Sequence, residues 1–479
     1  MPKIKNSVLI TLLIVGLTIS AIPMANACGT PFWPKPPLSI RPIVFVHGGA
    51  GSGAQFESQA MRFTSNGYPP NYIAVHEYDS SSWSNLTYQQ IVWAGLDQLI
   101  DSLLAETGAD KVDLLGHSLG TSVCQGYLRS SPARAAKVAH YVNIDGADTP
   151  DTPGGVPTLA LIAGKGWSAV PGRGIGGAIN VTLQNQTHVE VATSAEAFVE
   201  MYKFFTGQEP LTKDIVPEPP GQIRIGGRVV YFPMNTGVEG ATLEIWEVNS
   251  DTGMRVRKKP EAVYVLNADG AWGPLKIKAG AYYEFVVKFQ SKLGTEILHY
   301  YREPFIRSDY LIRILVSPPG GVAYYADRSP NHSNILILRN KEFWGDQGVN
   351  NDILEINGVN IINSATCPVI KGIYRTGVIG IWVYDKGNDS VSNLTTPISY
   401  YYAQAFQTGV DLFIPAADPP NATISLVLTP RGGDGKTQVI NVPNWASLTE
   451  TVLHRIVVQF NDYVQDINSF QDYMRMWRP

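Results

Sequence analysis

Between residues 42 and 206, short apolar runs alternate with longer stretches in which apolar residues recur every three or four positions. The runs at 42–46, 72–75, 111–115, 139–144, 158–162 and 180–183 predict strands, and 55–65, 88–106, 121–129 and 194–206 predict helices. Within 88–106, Ile91, Val92, Gly95, Leu96, Leu99 and Leu103 share one face. The last helix carries a capping-box pattern at Thr193 and Glu196 and has Gly207 as its stop. Strands and helices alternating at this spacing build parallel βαβ units, so the predicted fold class is α/β, a mostly parallel, doubly wound sheet. In such sheets the ligand crevice lies outside the carboxyl ends of the strands.

The texture changes after residues 210–220, a proline-rich stretch that excludes helix and central strand and reads as a linker. Beyond it, 281–289, 334–338, 378–384 and 423–428 are short alternating or apolar strands divided by Gly, Asn, Asp and Pro turns, which predicts an all-β, sandwich-like region. The expected organisation is a leader at 1–27, an α/β domain at 28–209, a linker at 210–221, a small β-sandwich at 222–308 and a larger β-domain at 309–479. Residues 448–463 fit strand or helix equally. Trp246, Tyr282 and Trp382 are candidates for a binding surface or for core packing.

Lys3 and Lys5 precede an apolar run over 8–22, and Ala25-Asn26-Ala27 offers a small-residue cleavage site. That is the pattern of a secretory signal peptide, and the run is shorter than the roughly 20 residues of a spanning helix. The mature chain is expected to be secreted and to begin near Cys28, with lipid anchoring at Cys28 the lesser alternative. A net charge of −4 argues against a nucleic-acid partner. The three cysteines, Cys28, Cys124 and Cys367, are widely separated and imply neither a metal site nor a disulfide framework.

The candidate chemistry centres on Gly116-His117-Ser118-Leu119-Gly120, which follows a predicted strand and opens a predicted helix. Glycines two residues either side of a serine leave room for a sharp strand–turn–helix elbow that pushes the Ser118 hydroxyl outward. A serine needs a base to take its proton, and the base needs an acid to fix its tautomer. After Ser118 the α/β region holds only His140 and His188. His140 starts a strand, the wrong end of the sheet, whereas His188 follows the last strand. No carboxylate occurs between Ile162 and His188, so the acid is expected at Asp145, after the preceding strand, with Asp148 and Asp151 as competitors. The backbone N–H groups of Leu119 and of Gly49, in the His47-Gly48-Gly49 loop, are the expected oxyanion donors. His47 and His117 read as bracing and packing residues.

His47-Gly48-Gly49, the segment 106–113 and Gly116-His117-Ser118-Leu119-Gly120 resemble the small bacterial lipases of the α/β-hydrolase superfamily over roughly 40–207. The chain as a whole, with its long β-rich extension, resembles archaeal two-domain lipases. The resemblance implies carboxylic ester hydrolysis by Ser118, His188 and Asp145 through an acyl-enzyme, without metal or organic cofactor. It also implies a β-region that binds lipid or other substrate, at an aggregate or membrane surface. The chain departs from that family pattern in having no acid after Ile162. An extracellular polyester depolymerase or a carboxylesterase is the alternative, and a non-catalytic cell-surface binding protein the remote one. The segments 77–87 and 164–178 are candidate covers, the second too glycine-rich to hold one conformation unaided.

Overall fold

The computed structural model describes residues 40–464. The expected leader at 1–27 and Cys28 lie outside the described residues. The chain opens with β1 (Ile43–Val46), α1 (Glu57–Ser65), β2 (Ile73–His76), α2 (Leu86–Thr107), β3 (Val112–His117) and α3 (Leu119–Ser130). It continues with α4 (Pro132–Ala136), β4 (Val138–Ile144), β5 (Thr158–Ala163), β6 (Ile179–Leu183), α5 (Glu190–Thr193) and α6 (Ala195–Thr206). The six strands form one sheet in the order β2-β1-β3-β4-β5-β6, every neighbouring pair parallel. Because successive strand residues point to opposite faces, Ile43 and Phe45 pack under α1 and α6, while Val44 and Val46 pack under α2 and α3.

Local signals set the helix ends. Asn85 caps α2 by accepting from the N–H groups of Thr87 and Tyr88, and Gly108, at φ 69°, ends it. For α6 the cap is Ser194, which accepts from the Ala197 N–H at 3.1 Å, and not Thr193. Glu196 is engaged by Gln186 instead of reaching back to close a box. Gly207 ends α6 at φ 71°.

Beyond residue 222 the chain is β-rich. An eight-stranded mixed sheet runs in the order Ala262–Val265, Thr242–Val248, Tyr282–Ser291, Gly294–Arg302, Val452–Phe460, Ile335–Phe343, Val378–Tyr384 and Gln407–Asp411. The tail segment that fitted helix or strand is thus a strand, parallel to both of its neighbours. One face of this sheet packs Ile335, Ile337, Ile456 and Val458 against the sheet containing Thr423–Thr429 and Gln438–Pro443. Part of the other face packs Leu243, Phe285 and Leu298 against Arg224–Tyr231 and Asp309–Val316. A division at Ser308 separates those last two strands, which pair with each other, and the eight-stranded sheet takes strands from both sides of it.

The proline-rich segment before this region is strapped to α1. Asn66 exchanges hydrogen bonds with Thr212, Arg62 donates to the Lys213 carbonyl, and Val216 N–H donates to Ser65. Buried ion pairs tie the β-region to the α/β domain: Arg302 meets Glu57 at 2.8 Å and Arg313 meets Glu77 at 2.7 Å. Among the described residues no helix is long and apolar enough to cross a membrane.

Candidate active site

Ser118 stands between β3 and α3 with φ 54° and ψ −122°, a region that costs a non-glycine residue about 1–3 kcal/mol. Close approach explains the flanking glycines. A Cβ on Gly116 would lie 2.7 Å from the Gly120 carbonyl oxygen, and one on Gly120 would lie 2.3 Å from that of Val46. The elbow is held from below, because Ser118 N–H donates to Ile144 and its carbonyl accepts from the Thr121 hydroxyl. A Cβ on Gly48 would meet the Ser118 Cβ at 3.0 Å, so the glycine-rich loop passes directly over the elbow. Gly49 lines the cavity there, and a Cβ on it would stand 3.7 Å from Leu119, the first residue of α3.

Asp145 follows β4, itself at φ 43°. Its Oδ2 lies 2.5 Å from His188 Nδ1. Its Oδ1 accepts from Ala163 N–H at 3.1 Å and from Arg173 at 2.6 Å. A carboxylate from the β4 end therefore reaches over the β5 end, the position after Ile162 where the sequence has no acid. Burial opposes its charge, but the hydrogen bond and charge of His188, with Arg173, hold the carboxyl down at about 2. Asp148 and Asp151 are engaged elsewhere, with Arg173 and Arg129.

His188 is buried between Trp167, Phe406 and His117. With Nδ1 on Asp145, its Nε2 has no partner among the described residues, and Ser118 and His188 line the same cavity. His117 accepts from Gln55 at Nδ1, which leaves its Nε2 to donate to the His188 carbonyl at 2.8 Å. Burial pushes His117 down to about 3, so it stays neutral in that role. His47 is a brace: it stacks on Tyr78 and its ring meets Asn235 of the β-region. His140 pairs with Asp113 at the opposite end of the sheet.

The cavity runs from Gly48, Ser118 and His188 into the β-region. Leu336, Leu338, Val457 and Trp382 of the eight-stranded sheet line it. Trp382 is buried there, whereas Trp246 is half-buried beneath Arg255. The segment 164–178 is pinned by Arg173, which also donates to the carbonyls of Gly146 and Ser168, and by Asn180. Neither Arg173 nor the β-region contacts to His188 leave a local signature in the sequence. Among the described residues no three His, Cys, Asp or Glu side chains converge as a metal site.

Residues 43–266 match the Alpha/beta hydrolase family, residues 221–319 match the Lipase C-terminal domain, and residues 321–464 match a further C-terminal domain. Among solved structures, lipase B of Aspergillus fumigatus is similar at 16% identity and a TM-score of 0.28, over 36% of this chain and 54% of that one. Carboxylesterase CesB of Bacillus subtilis is similar at 14% identity and a TM-score of 0.24, over 36% and 86%. Lipase BlEst2 of Bacillus licheniformis is similar at 11% identity and a TM-score of 0.27, over 85% and 94%. At such identities and scores no substrate carries over.

Proposed function

For a chain that is an α/β hydrolase with a lipase-type C-terminal domain, and so an ester hydrolase, we propose that the activity is that of an exported lipase working through Ser118, His188 and Asp145. The observation that carries this reading is the imidazole of His188, fixed on Asp145 by Nδ1, with Nε2 unpaired among the described residues and Ser118 lining the same cavity. Ser118 Oγ attacks the ester carbonyl as His188 Nε2 takes its proton, and Asp145 stabilises the imidazolium. The N–H groups of Leu119 and Gly49 hold the oxyanion, each contributing about 3 kcal/mol to the transition state. The proton passes from His188 to the departing alcohol. Water, activated by the same imidazole, then attacks the acyl-enzyme and releases the acid.

A lipid ester is favoured over a small polar one because aliphatic and aromatic side chains, among them Leu336, Leu338, Val457 and Trp382, line the cavity that Ser118 shares. Export rests on the leader pattern at 1–27. Hydrolysis of an emulsified long-chain triacylglycerol tests the reading. Wild-type protein is expected to release fatty acid and folded Ser118→Ala to lose at least about 1000-fold. Turnover of a polyester film without triacylglycerol would instead favour a depolymerase.

A further inference from the structure

We propose that Glu342, in the β-region, is a positioning residue for the catalytic base, an inference that rests on the assignment of His188 as that base. Glu342 is the penultimate residue of the strand Ile335–Phe343 and is 1% exposed. Its Oε2 accepts from the Thr187 hydroxyl at 2.6 Å and from Glu190 N–H at 3.0 Å, and its Oε1 accepts from Val189 N–H at 2.8 Å. One carboxylate thereby grips the chain immediately before and after His188. The side chain of Glu190 is bound by Lys341 at 2.9 Å and Arg431 at 2.8 Å, both from the β-region, and Arg431 is anchored on Asp352.

Within the α/β domain this loop is tied at its edges, by Lys165 N–H to the Gln186 carbonyl and by Val191 N–H to the Thr187 carbonyl. It follows β6, the edge strand of the sheet, whose residues are exposed or half-buried. From within the domain, His117 holds the His188 carbonyl and Asp145 holds the ring. Glu342 adds hydrogen bonds to the backbone of Val189 and Glu190 and to the Thr187 side chain. The β-region is thus part of the device that aims the imidazole, besides forming the cavity wall. A buried Glu at this place also leaves Val189 and Glu190 N–H without a partner if removed, which loosens the loop instead of merely emptying a space.

The experiment uses the full chain and a short, soluble p-nitrophenyl ester, whose acyl group does not reach along the cavity wall. In Glu342→Gln one acceptor oxygen becomes an NH2 group facing an N–H or hydroxyl donor. Its kcat is expected to fall about 10- to 100-fold, since misplacement by 1 Å costs a factor of this size. KM is expected to stay within about threefold, because the ester itself touches nothing at residue 342. Thr187→Val, which loses one of the three contacts, is expected to lower kcat severalfold at unchanged KM, and the double variant to lose less than the product of the two effects. Glu342→Gln with wild-type circular dichroism and kcat within about twofold of wild type overturns the proposal. If that variant does not fold, Thr187→Val alone decides, and an unchanged kcat overturns it. Full activity of Ser118→Ala would refute the underlying assignment instead, so the two failures are distinguishable.

Discussion

Replacing Gly120 by Ala isolates the close approach between the elbow and the glycine-rich loop. The new Cβ would stand 2.3 Å from the Val46 carbonyl oxygen and 2.5 Å from that of His47. Against an ordinary carbon–oxygen contact the shortfall is about 1 Å, and both obstacles are backbone. Val46 is bound into β1 on both sides, by β2 and β3, so relief falls mainly on the chain that leaves it, residues 47–49. A displacement of about 1 Å there moves the Gly49 N–H away from the oxyanion and should lower kcat about 100-fold. Helix propensity works in the opposite direction, because Ala in place of Gly in α3 favours the helix by about 1 kcal/mol. Overpacking should cost about 1–3 kcal/mol of stability. Gly237→Ala is the control, since its Cβ would meet the Gly270 nitrogen at 2.3 Å in the β-region and Gly237 does not line the cavity. Calorimetry gives the stability of each variant, and active-site titration gives the folded fraction against which kcat is measured. Gly120→Ala with wild-type kcat, or both variants losing kcat alike, would refute the reasoning.

Arg173→Gln removes the cation that shares the Asp145 carboxylate with His188. With Asp145 Oδ1 and the Gly146 and Ser168 carbonyls released, kcat should fall about tenfold, and a kcat within about twofold of wild type contradicts this. Leu336→Trp narrows the cavity away from Ser118. Long-chain esters should lose about tenfold or more while a two-carbon acyl ester is unaffected, and equal losses on both would contradict the placement of the acyl chain. Burial raises the Glu303 carboxyl from 4.5 to about 8. The folded state therefore holds a proton that the unfolded chain releases, and the stability this provides is complete below pH 4.5 and drains away as pH rises to 8, by at most about 1.4 kcal/mol per unit. Glu303→Gln should gain Tm relative to wild type across that window, and a parallel pair of Tm curves would contradict the assignment.

The α/β elements were legible because strands buried on both faces leave nearly unbroken apolar runs, as at Ile43–Val46, while one-sided helices leave the three-to-four spacing seen in α2. Ser118 announced itself because backbone contacts demand a glycine on either side, from Gly120 at Gly116 and from Val46 at Gly120. His188 and Asp145 followed from their places at strand ends, and the fold brings their side chains to 2.5 Å. What local pattern could not convey is contact between distant stretches. The competition between Thr193 and Ser194 for the α6 cap is settled by where the preceding loop turns, and Glu196 is drawn to Gln186 across that loop. The strand Asp309–Val316 begins where composition suggested a boundary, yet it pairs in parallel with Arg224–Tyr231. Arg173 sits in a stretch that sequence marks only as rich in glycine, and Glu342 reaches its three donors across more than 150 residues of chain.

Mass mapping of the protein after reaction with a long-chain alkyl phosphonate tests the central claim most directly. One adduct is expected, on the peptide containing Ser118, with hydrolysis lost in step and labelling abolished in His188→Ala. An adduct on any other residue, or full ester turnover by protein labelled at Ser118, would contradict it.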